Sequence, residues 1–465
     1  MMPQPCWRFD NSYGRLPPTL YTRIGPSPVA APRLVRFNHA LAAELGLDPA
    51  LGEAGEAAPL FAGNCLPEGA EPLAQAYAGH QFGFFNVLGD GRAILLGEHL
   101  RPDGGRVDLQ LKGAGRTPYS RGGDGRAALG PMLREYLFGE AMHALGLPTT
   151  RALAVVTTGE TVLRQTPLAG AILTRVAASH LRVGSFEYAA RRGAAELRAL
   201  LDYAVARHDP GLAGRDDLPW AFLAAVADRQ ADLVVGWMRV GFVHGVMNSD
   251  NMTISGETID YGPCAFLDRY HPAMVFSSID HGGRYAFGNQ MACAQWNLAR
   301  LAEALLPLDP DGLARAEAVI EGFGATVTAR HRAMLGGKLG LAALQPGDEA
   351  LIAELLDWMQ RTGADYTNTF RALSDDPDPP LPQGWGERWR ARAPVVDLMR
   401  RHNPAYIPRN QRVEDALAAA EAGDLAPFER LLAVLAEPYR TRPGLEAYQA
   451  PPPPEAPPHR TFCGT

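Results

Sequence analysis

The chain has 465 residues, of which 46% are hydrophobic and 20% charged, and its formal net charge at pH 7 is -7. This length and composition suit a protein with a sizeable core, as one two-lobed unit or as two to three domains. The negative charge disfavours non-specific nucleic-acid binding, and no apolar run approaches the roughly 18 residues of a membrane span. The N-terminus lacks the regions of a signal peptide, and the five scattered cysteines form no CxxC pair. We therefore expect a cytoplasmic protein that binds neither nucleic acid nor membrane.

The first 180 residues are predicted to contain most of the strands. LVRFNHALAAELGL (34–47) has the pattern of a helix that ends at Gly46. Alternating patterns predict strands in RAILLGE and RVDLQLK, joined by a hairpin turn at RPDGG. A helix is predicted for PMLREYLFGEAMHALG (131–146), followed by strands in RALAVVTTGETVLRQ and AGAILTRV.

After about residue 185 the sequence predicts helices. The longest amphipathic stretches are AAELRALLDYAVARH, LPWAFLAAVADRQADLVVGWMRVG and MACAQWNLARLAEALLPL. We therefore predict an α+β, two-lobed, protein-kinase-like fold, with a strand-rich N-terminal lobe (1–180) and a helical C-terminal lobe (181–445). Residues 446–465 form a Pro-rich tail that ends in a cysteine motif.

Lys112 and Glu135 suggest a nucleotide site. Lys112 ends a predicted strand, and Glu135 lies in the first turns of the next predicted helix. In the protein-kinase fold, a strand Lys held by a helix Glu directs an ammonium group at nucleotide phosphates. On these two residues alone, ordinary solvated charges are the favoured interpretation.

Two glycine-rich segments flank Lys112. The upstream segment FGFFNVLGDGRA contains Gly83, Gly89 and Gly91, whose backbone amides could approach a phosphate, although any hairpin can contain such glycines. The downstream segment GAGRTPYSRGGDGRAALG places three arginines and Asp124 among glycines and leads into a helix N-terminus. Guanidinium groups on a glycine-rich backbone are typical of a polyphosphate site. A flexible loop with arginines for solubility is the other interpretation. The arginines of the downstream segment are Arg116, Arg121 and Arg126, and Arg175 and Arg182 follow in LTRVAASHLRVG.

HGVMNSDNMTISGETIDYGP (244–263) combines the residue types of a metal and catalytic loop. In kinase-like folds, H-G-D-x-x-x-x-N supplies an acid and a metal-binding Asn, and a later I-D-x-G supplies a metal-binding Asp. Here Asn251 and Asp260 occupy the two metal positions, and a predicted hairpin between them would bring them together. Their oxygen atoms suit Mg²⁺ or Mn²⁺. The acid position holds Val246, and Asp250 is the nearest replacement.

The chain resembles the selenoprotein O (SelO/YdiU) family, pseudokinase-fold enzymes that act as protein adenylyltransferases. The resemblance extends over almost the whole chain. It rests on YAGHQFGFFNVLGDGRAILLGE, LQLKGAGRTPYSRGGDGRAALGPMLREYL, LTRVAASHLRVGSFE and GVMNSDNMTISGETIDYGPCAFLD.

The resemblance implies that ATP binds inverted relative to ordinary kinases, with its γ-phosphate inside the protein. AMP would then pass to a Ser, Thr or Tyr hydroxyl of a protein substrate, and pyrophosphate would leave. By position, Asn251 and Asp260 would bind Mg²⁺ or Mn²⁺, Asp250 would accept the proton, and Glu135 would position Lys112. The residues implied to hold phosphates are Gly89, Gly91, Arg92, Lys112, Asp124, Gly125, Arg175 and Arg182.

The tail departs from family members that end in a selenocysteine, because HRTFCGT carries the ordinary cysteine Cys463. We hypothesise that Cys463 forms a regulatory disulfide with Cys264, four residues after Asp260. Three other activities stay open: UMP transfer from UTP with Mn²⁺, γ-phosphoryl transfer, and a non-catalytic pseudokinase scaffold that binds a nucleotide. The sequence leaves the protein substrates and the oligomeric state undetermined.

Overall fold

The computed structural model describes residues 7–53, 57–453 and 455–462. Strands dominate the first part of the chain, with three helices among them. The strands are β1 Tyr21–Arg23, β2 Arg33–Phe37, β3 Leu73–Gln75, β4 Ala78–Gln81, β5 Phe84–Val87, β6 Ala93–Leu100, β7 Arg106–Lys112, β8 Ala127–Ala128, β9 Arg151–Leu163 and β10 Pro167–Ala177. The helices are α1 His39–Glu44, α2 Ala57–Phe61 and α3 Leu129–Ala144.

Eight strands form one antiparallel sheet in the order β1-β3-β6-β7-β10-β9-β2, with β8 beside β10. Strands β4 and β5 form a separate hairpin. Side chains alternate between the two faces of a strand. Leu109 and Leu111 of β7 therefore pack into the core under α1 and α2, whereas Lys112 points to the opposite face. On β10 the same alternation places Ile172 in that core and Arg175 on the face of Lys112.

The rest of the chain is mainly helical. Its strands are β11 Phe242–Val243 and β12 Ala265–Phe266, which pair with each other. Its helices are α4 Val183–Ala190, α5 Ala194–His208, α6 Leu218–Val240, α7 Gln290–Leu305, α8 Leu313–Lys338, α9 Asp348–Thr362, α10 Tyr366–Asp375, α11 Trp385–Arg390, α12 Val396–His402, α13 Asn410–Glu421 and α14 Ala426–Leu435. A large core of buried side chains joins these helices to α3 and the inner face of the sheet.

The predicted α+β class, with a strand-rich first lobe and a helical second lobe, is confirmed. The paired strands β6 and β7 and the long helix α6 also follow the sequence patterns, and Gly241 ends α6 in the left-handed conformation. None of the described helices has both the length and the hydropathy that a bilayer crossing requires.

Two local predictions are wrong. Residues 33–37 form a strand, so the helix predicted for residues 34–47 begins only at His39. The strand forms because Leu34 and Phe37 pair with Val156 and Ala154 of β9. The segment between Asn251 and Asp260 contains a turn but no hairpin. Its flanking residues Thr253 and Thr258 each bridge to a different part of the chain instead of to each other.

Candidate active site

A cleft of about 580 Å³ lies between the sheet and the loop that follows α6. Seven cationic side chains line it, together with four carboxylates and the glycines of both glycine-rich segments. The cationic residues are Arg92, Lys112, Arg121, Arg126, Arg164, Arg175 and Arg182; the acidic ones are Asp90, Asp124, Glu135 and Asp260. The predicted residues Gly89, Gly91, Gly125 and Asn251 also line the cleft.

Lys112, Glu135 and Arg175 form a buried ion-pair network at the base of the cleft. Lys112 Nζ lies 2.6 Å from Glu135 Oε2, and Arg175 Nε donates to Glu135 Oε1 at 2.7 Å. Burial opposes ionisation of Glu135, but the two cations hold the pKa of this carboxyl below its ordinary value. Glu135, presented by α3, therefore fixes the positions of two cations that belong to different strands, β7 and β10.

Asp260 receives three cations. Its Oδ1 lies 2.7 Å from Lys112 Nζ and 2.6 Å from Arg175 Nη2, and its Oδ2 lies 2.9 Å from Arg182 Nη1. Burial would raise the pKa of Asp260, but these three cations hold it well below 3.8. The residue has a φ of +62°, a strained conformation for a non-glycine residue that often marks a functional site.

Arg182 connects this network to the predicted catalytic loop (residues 244–263). It lies at the N-cap of α4, is buried, and donates from Nη1 to the Asp250 backbone oxygen at 2.7 Å. Its guanidinium carbon lies 4.5 Å from the centre of the Tyr77 ring. Cation–π stacking of this kind favours a guanidinium over an ammonium. The arginine is thus held between the aromatic wall of the cleft and Asp260.

Asn251 and Val246 lie on the opposite wall of the cleft. Asn251 Nδ2 donates to the Val246 backbone oxygen at 3.0 Å, which orients the amide. His244 packs below the loop, with Nε2 2.9 Å from the Ile259 oxygen. The side chain at the usual position of the kinase acid is therefore apolar and faces the cleft.

Asp250 is placed differently from its neighbours. The residue is only 7% exposed and is absent from the cleft lining. Its Oδ1 is buried and has no hydrogen-bond partner among the described residues. Burial raises the pKa of Asp250 to about 6. The residue predicted to accept a proton thus has a suitable pKa but lies beneath β4, which covers it.

The glycines that line the cleft are needed for close packing. A Cβ at Gly89 would lie 2.5 Å from the Tyr119 ring, and a Cβ at Gly125 would lie 2.2 Å from the Gly115 backbone. Thr117 Oγ1 donates to the Asp90 oxygen at 2.6 Å. The segment after Lys112 therefore folds tightly against the residues that precede β6 and lines the cleft there.

Asp124 lines the cleft as one member of an ion pair with Arg164. Arg164, in the turn between β9 and β10, lies 2.7 Å from Asp124 through its Nη1. The bidentate pair lowers the pKa of Asp124 and holds Arg164 at the cleft. Arg164 was missed by the sequence analysis. No local pattern marks it, because its link to Asp124 spans 40 positions.

Asn251 and Asp260 fit Mg²⁺ or Mn²⁺ only in combination with a nucleotide. Among the described residues, no cluster of three His, Cys, Asp or Glu side chains could hold a metal ion alone. An ionised carboxylate and one oriented amide are a sufficient protein contribution for Mg²⁺ when phosphates and waters supply the other ligands. The three cations at Asp260 already compensate its charge, so a metal ion would bind there only together with the nucleotide phosphates.

The structure describes one of the two cysteines of the hypothesised disulfide, Cys264. Cys264 is fully buried, and burial raises the pKa of its thiol to about 11, which disfavours the reactive thiolate. Cys463 lies outside the described residues. Thr461, two residues earlier, donates from Oγ1 to the Pro263 oxygen at 2.8 Å. The described end of the tail is therefore fixed beside Cys264, and the disulfide stays a hypothesis.

Comparisons with known proteins show the family to which the chain belongs. A family model described as protein adenylyltransferase SelO matches residues 6–383. A protein nucleotidyltransferase YdiU of Geobacillus kaustophilus is 57% identical over 480 residues, which cover 99% of each chain. Another protein of that description, from Anoxybacillus flavithermus, is 58% identical over 476 residues, again covering 99% of each chain. A third, from Syntrophotalea carbinolica, is 54% identical and covers 99% of this chain and 98% of its own.

The fold, the ion-pair network and these similarities define the protein as a nucleotidyltransferase. The chain belongs to the SelO family, which the sequence motifs had indicated.

Proposed function

We propose that this protein transfers AMP from ATP to a Ser, Thr or Tyr hydroxyl of a protein substrate. ATP would bind with its terminal phosphate inside the cleft and its α-phosphorus facing the substrate. The proposal is supported by the descriptions of the family and of the relatives, which name adenylyl or nucleotidyl transfer by proteins of this kind.

The observation that carries the proposal is the convergence of Lys112, Arg175 and Arg182 on one carboxylate, Asp260. Asp260 and Glu135 together supply two negative charges to these three buried cations, so one positive charge remains for a ligand. A triphosphate would accept hydrogen bonds from the same donors, and buried donors fixed in advance stabilise phosphoryl charge more strongly than donors in water do. Three further cations that line the cleft, Arg121, Arg126 and Arg164, would enclose the polyphosphate further.

In the proposed reaction, the substrate oxygen forms a bond to the α-phosphorus, and the bond from that phosphorus to the pyrophosphate oxygen breaks. The hydroxyl proton passes to the Asp250 carboxylate. Val246 cannot accept it, whereas a carboxyl with a pKa of about 6 is ionised at pH 7 and more basic than an exposed Asp. Asp250 must become accessible for this step, which requires movement of β4 or of the loop.

Asn251 and Asp260 would hold Mg²⁺ or Mn²⁺ together with the phosphates. The ion, when bound, would neutralise charge at the α-phosphoryl group and on the leaving pyrophosphate. Lys112, Arg175 and Arg182 would then be shared between Asp260 and the nucleotide. Glu135 would keep Lys112 and Arg175 in position while this sharing takes place.

The test uses ATP labelled on either the α- or the γ-phosphate, with a mixture of candidate protein acceptors and Mg²⁺. Label from the α-phosphate alone should remain on protein, and pyrophosphate should appear in equal amount. Retention of the γ-label would show a kinase instead. Preferential labelling from UTP with Mn²⁺ would replace AMP with UMP, and nucleotide binding without either product would indicate a scaffold.

A further inference from the structure

We propose that the β4–β5 hairpin and three stacked arginines beside it form the docking surface for the protein substrate, and that this surface selects an acidic segment with an apolar residue. The inference rests on the proposed function, since it concerns the protein that accepts the nucleotide. Its arginines are Arg191, Arg192 and Arg284.

The hairpin connects the cleft to the outer surface. Its two ends join at the base, where the Leu88 backbone N–H donates to the Tyr77 oxygen at 2.9 Å. Tyr77 and Gly89, just outside the two strands, line the cleft. A segment bound along the hairpin would therefore lie next to the cleft, where an acceptor hydroxyl is needed.

The hairpin is also fixed to the catalytic loop. The His80 backbone N–H donates to Ser249 Oγ at 2.8 Å, and the Phe82 backbone N–H donates to Asn248 Oδ1 at 3.2 Å. Glu187 of α4 accepts from Ser249 Oγ at 2.5 Å and also contacts the His80 ring. A ligand that binds the hairpin would thus act on the loop that carries Asp250.

The outer part of the hairpin exposes apolar side chains. Phe84 is 77% exposed and Val87 is 54% exposed. Between the strands, Phe82 and Gly83 both have positive φ, as a two-residue hairpin turn requires. Phe84 follows this turn and gains little stability from packing, and its exposure beside Val87 favours a role in binding.

Two guanidinium groups, those of Arg191 and Arg284, lie at this hairpin, and a third, that of Arg192, lies at the end of the neighbouring helix α4. Arg191 stacks 3.6 Å from the centre of the Phe85 ring, Arg284 lies 4.8 Å from the Trp296 ring, and Arg192 lies 4.5 Å from the Tyr188 ring. A Cβ at Gly83 would lie 3.8 Å from the Arg284 guanidinium, and the His80 ring contacts both Phe85 and Trp296. Arg191 and Arg284 are therefore placed at the hairpin, and Arg192 is placed at the end of α4, the helix that packs against β4.

These arginines have no carboxylate at ion-pair distance within the part of the chain that the structure describes. The neighbouring acids are already engaged. Glu187 is bound by His80 and Ser249, Asp280 accepts the backbone N–H groups of residues 284 and 285, and Glu303 pairs with Arg300.

Stacking on a ring fixes the plane of a guanidinium group but leaves its N–H donors directed outwards. Such donors recognise carboxylates, commonly with two parallel hydrogen bonds. The exposed aromatic tip between them would be buried by an apolar side chain of the same partner. Charge complementarity thus favours an acidic segment over a basic one.

Binding is measured by fluorescence anisotropy with two synthetic peptides of equal length. Each contains one Tyr and a Leu-Phe pair, flanked by Asp and Glu in one peptide and by Lys in the other. We expect the acidic peptide to bind the wild type more tightly. Arg191→Glu combined with Arg284→Glu should weaken its binding about tenfold or more and reverse the preference. Phe84→Ser should weaken both peptides by about tenfold, since it removes one buried aromatic contact.

The matched controls are Arg430→Glu and Leu313→Ser, which change an exposed arginine and an exposed apolar residue on other helices. Equal affinity for the two peptides, or hairpin variants that behave like the controls, would overturn the proposal. So would equal displacement of the acidic peptide by oligothymidylate, which would indicate a general polyanion site. A wild-type dimer that dissociates on Phe84→Ser would assign the surface to a second copy of the chain.

AMP transfer to the same peptides separates this inference from the proposed function. Charge-dependent binding without any transfer would retain the docking surface and reject AMP transfer. Equal transfer to both peptides, with no difference in binding, would retain AMP transfer and reject the docking surface.

Discussion

The Asp250 carboxylate lies directly against the backbone of Gly79: a methyl group at Gly79 would be 2.2 Å from Asp250 Oδ1. Gly184 of α4 is just as closely packed, since a Cβ there would lie 1.9 Å from the Ala78 oxygen. Strand β4 can therefore cover Asp250 only because these two positions carry no side chain. The acid that we assign to proton transfer is held in place by the backbone of the first lobe.

Gly79→Ala should separate nucleotide binding from transfer. The added methyl group must displace Asp250 or β4, whereas Lys112 and Arg175 are held by Glu135 and Asp260 and make no hydrogen bond to either. We expect ATP affinity to change by less than about threefold and the transfer rate to fall about 10²-fold or more, as for loss of a general base. Isothermal titration and the α-label assay measure the two effects. Gly211→Ala, with nothing within 4 Å of the added atom, is the control; wild-type transfer by Gly79→Ala would contradict the assignment.

The pH dependence of transfer should report the ionisation of Asp250. A proton acceptor must be deprotonated, so the rate should fall as the pH decreases through about 6, where burial places the pKa of Asp250. Burial also raises the pKa of Asp90, in the cleft lining, to about 6. Rate profiles of wild type and Asp90→Asn distinguish the two, because the acid limb should persist in the variant. Its disappearance would assign the limb to Asp90.

Asp250→Asn should stabilise the protein while it abolishes transfer. Because the folded state raises the pKa of Asp250 from 3.8 to about 6, burial of the ionised carboxylate costs about 3 kcal/mol above pH 6, and this cost disappears below pH 4. The free energy of unfolding of the variant, measured by denaturant titration, should therefore exceed that of wild type by up to about 3 kcal/mol at pH 7 to 8. A difference that does not vary with pH would contradict this account.

Asp260→Asn should retain nucleotide binding in the absence of metal. Removing the carboxylate charge releases Lys112, Arg175 and Arg182 for the triphosphate, so ATP affinity in EDTA should equal or exceed that of wild type. Transfer with Mg²⁺ should be abolished, because a metal ligand is lost. Asp217→Asn, at an exposed ion pair, is the control. An equal loss of ATP affinity with and without Mg²⁺ would show that Asp260 has another role.

Asp124 and Arg164 should act as one unit. If Asp124 serves the nucleotide by positioning Arg164, then Asp124→Ala, Arg164→Ala and the double variant should weaken ATP binding by similar amounts. Both side chains are partly exposed, so we expect each effect to be about fivefold or less. Titration of ATP against the three variants gives the coupling free energy. Additive losses would indicate that Asp124 contacts the nucleotide independently.

Much of the cleft could be predicted from sequence because strand alternation and helix position determine which face a residue occupies. Lys112 and Glu135 were recognised from a strand and the helix after it. The strand at residues 33–37 was missed because long-range pairing with β9 outweighs the helical pattern of LVRFNHALAAELGL. The position of Arg164 at the cleft and the burial of Asp250 beneath β4 depend on contacts between distant segments. Such contacts leave no periodic signal in the sequence.

The orientation of the bound nucleotide is the central claim, and a crystal structure with the non-reactive analogue α,β-methylene-ATP tests it most directly. We predict that the terminal phosphoryl group is enclosed by the arginines of the cleft and that the α-phosphorus faces the opening, near the catalytic loop. A terminal phosphoryl group directed at solvent, with the α-phosphorus inside, would contradict the account.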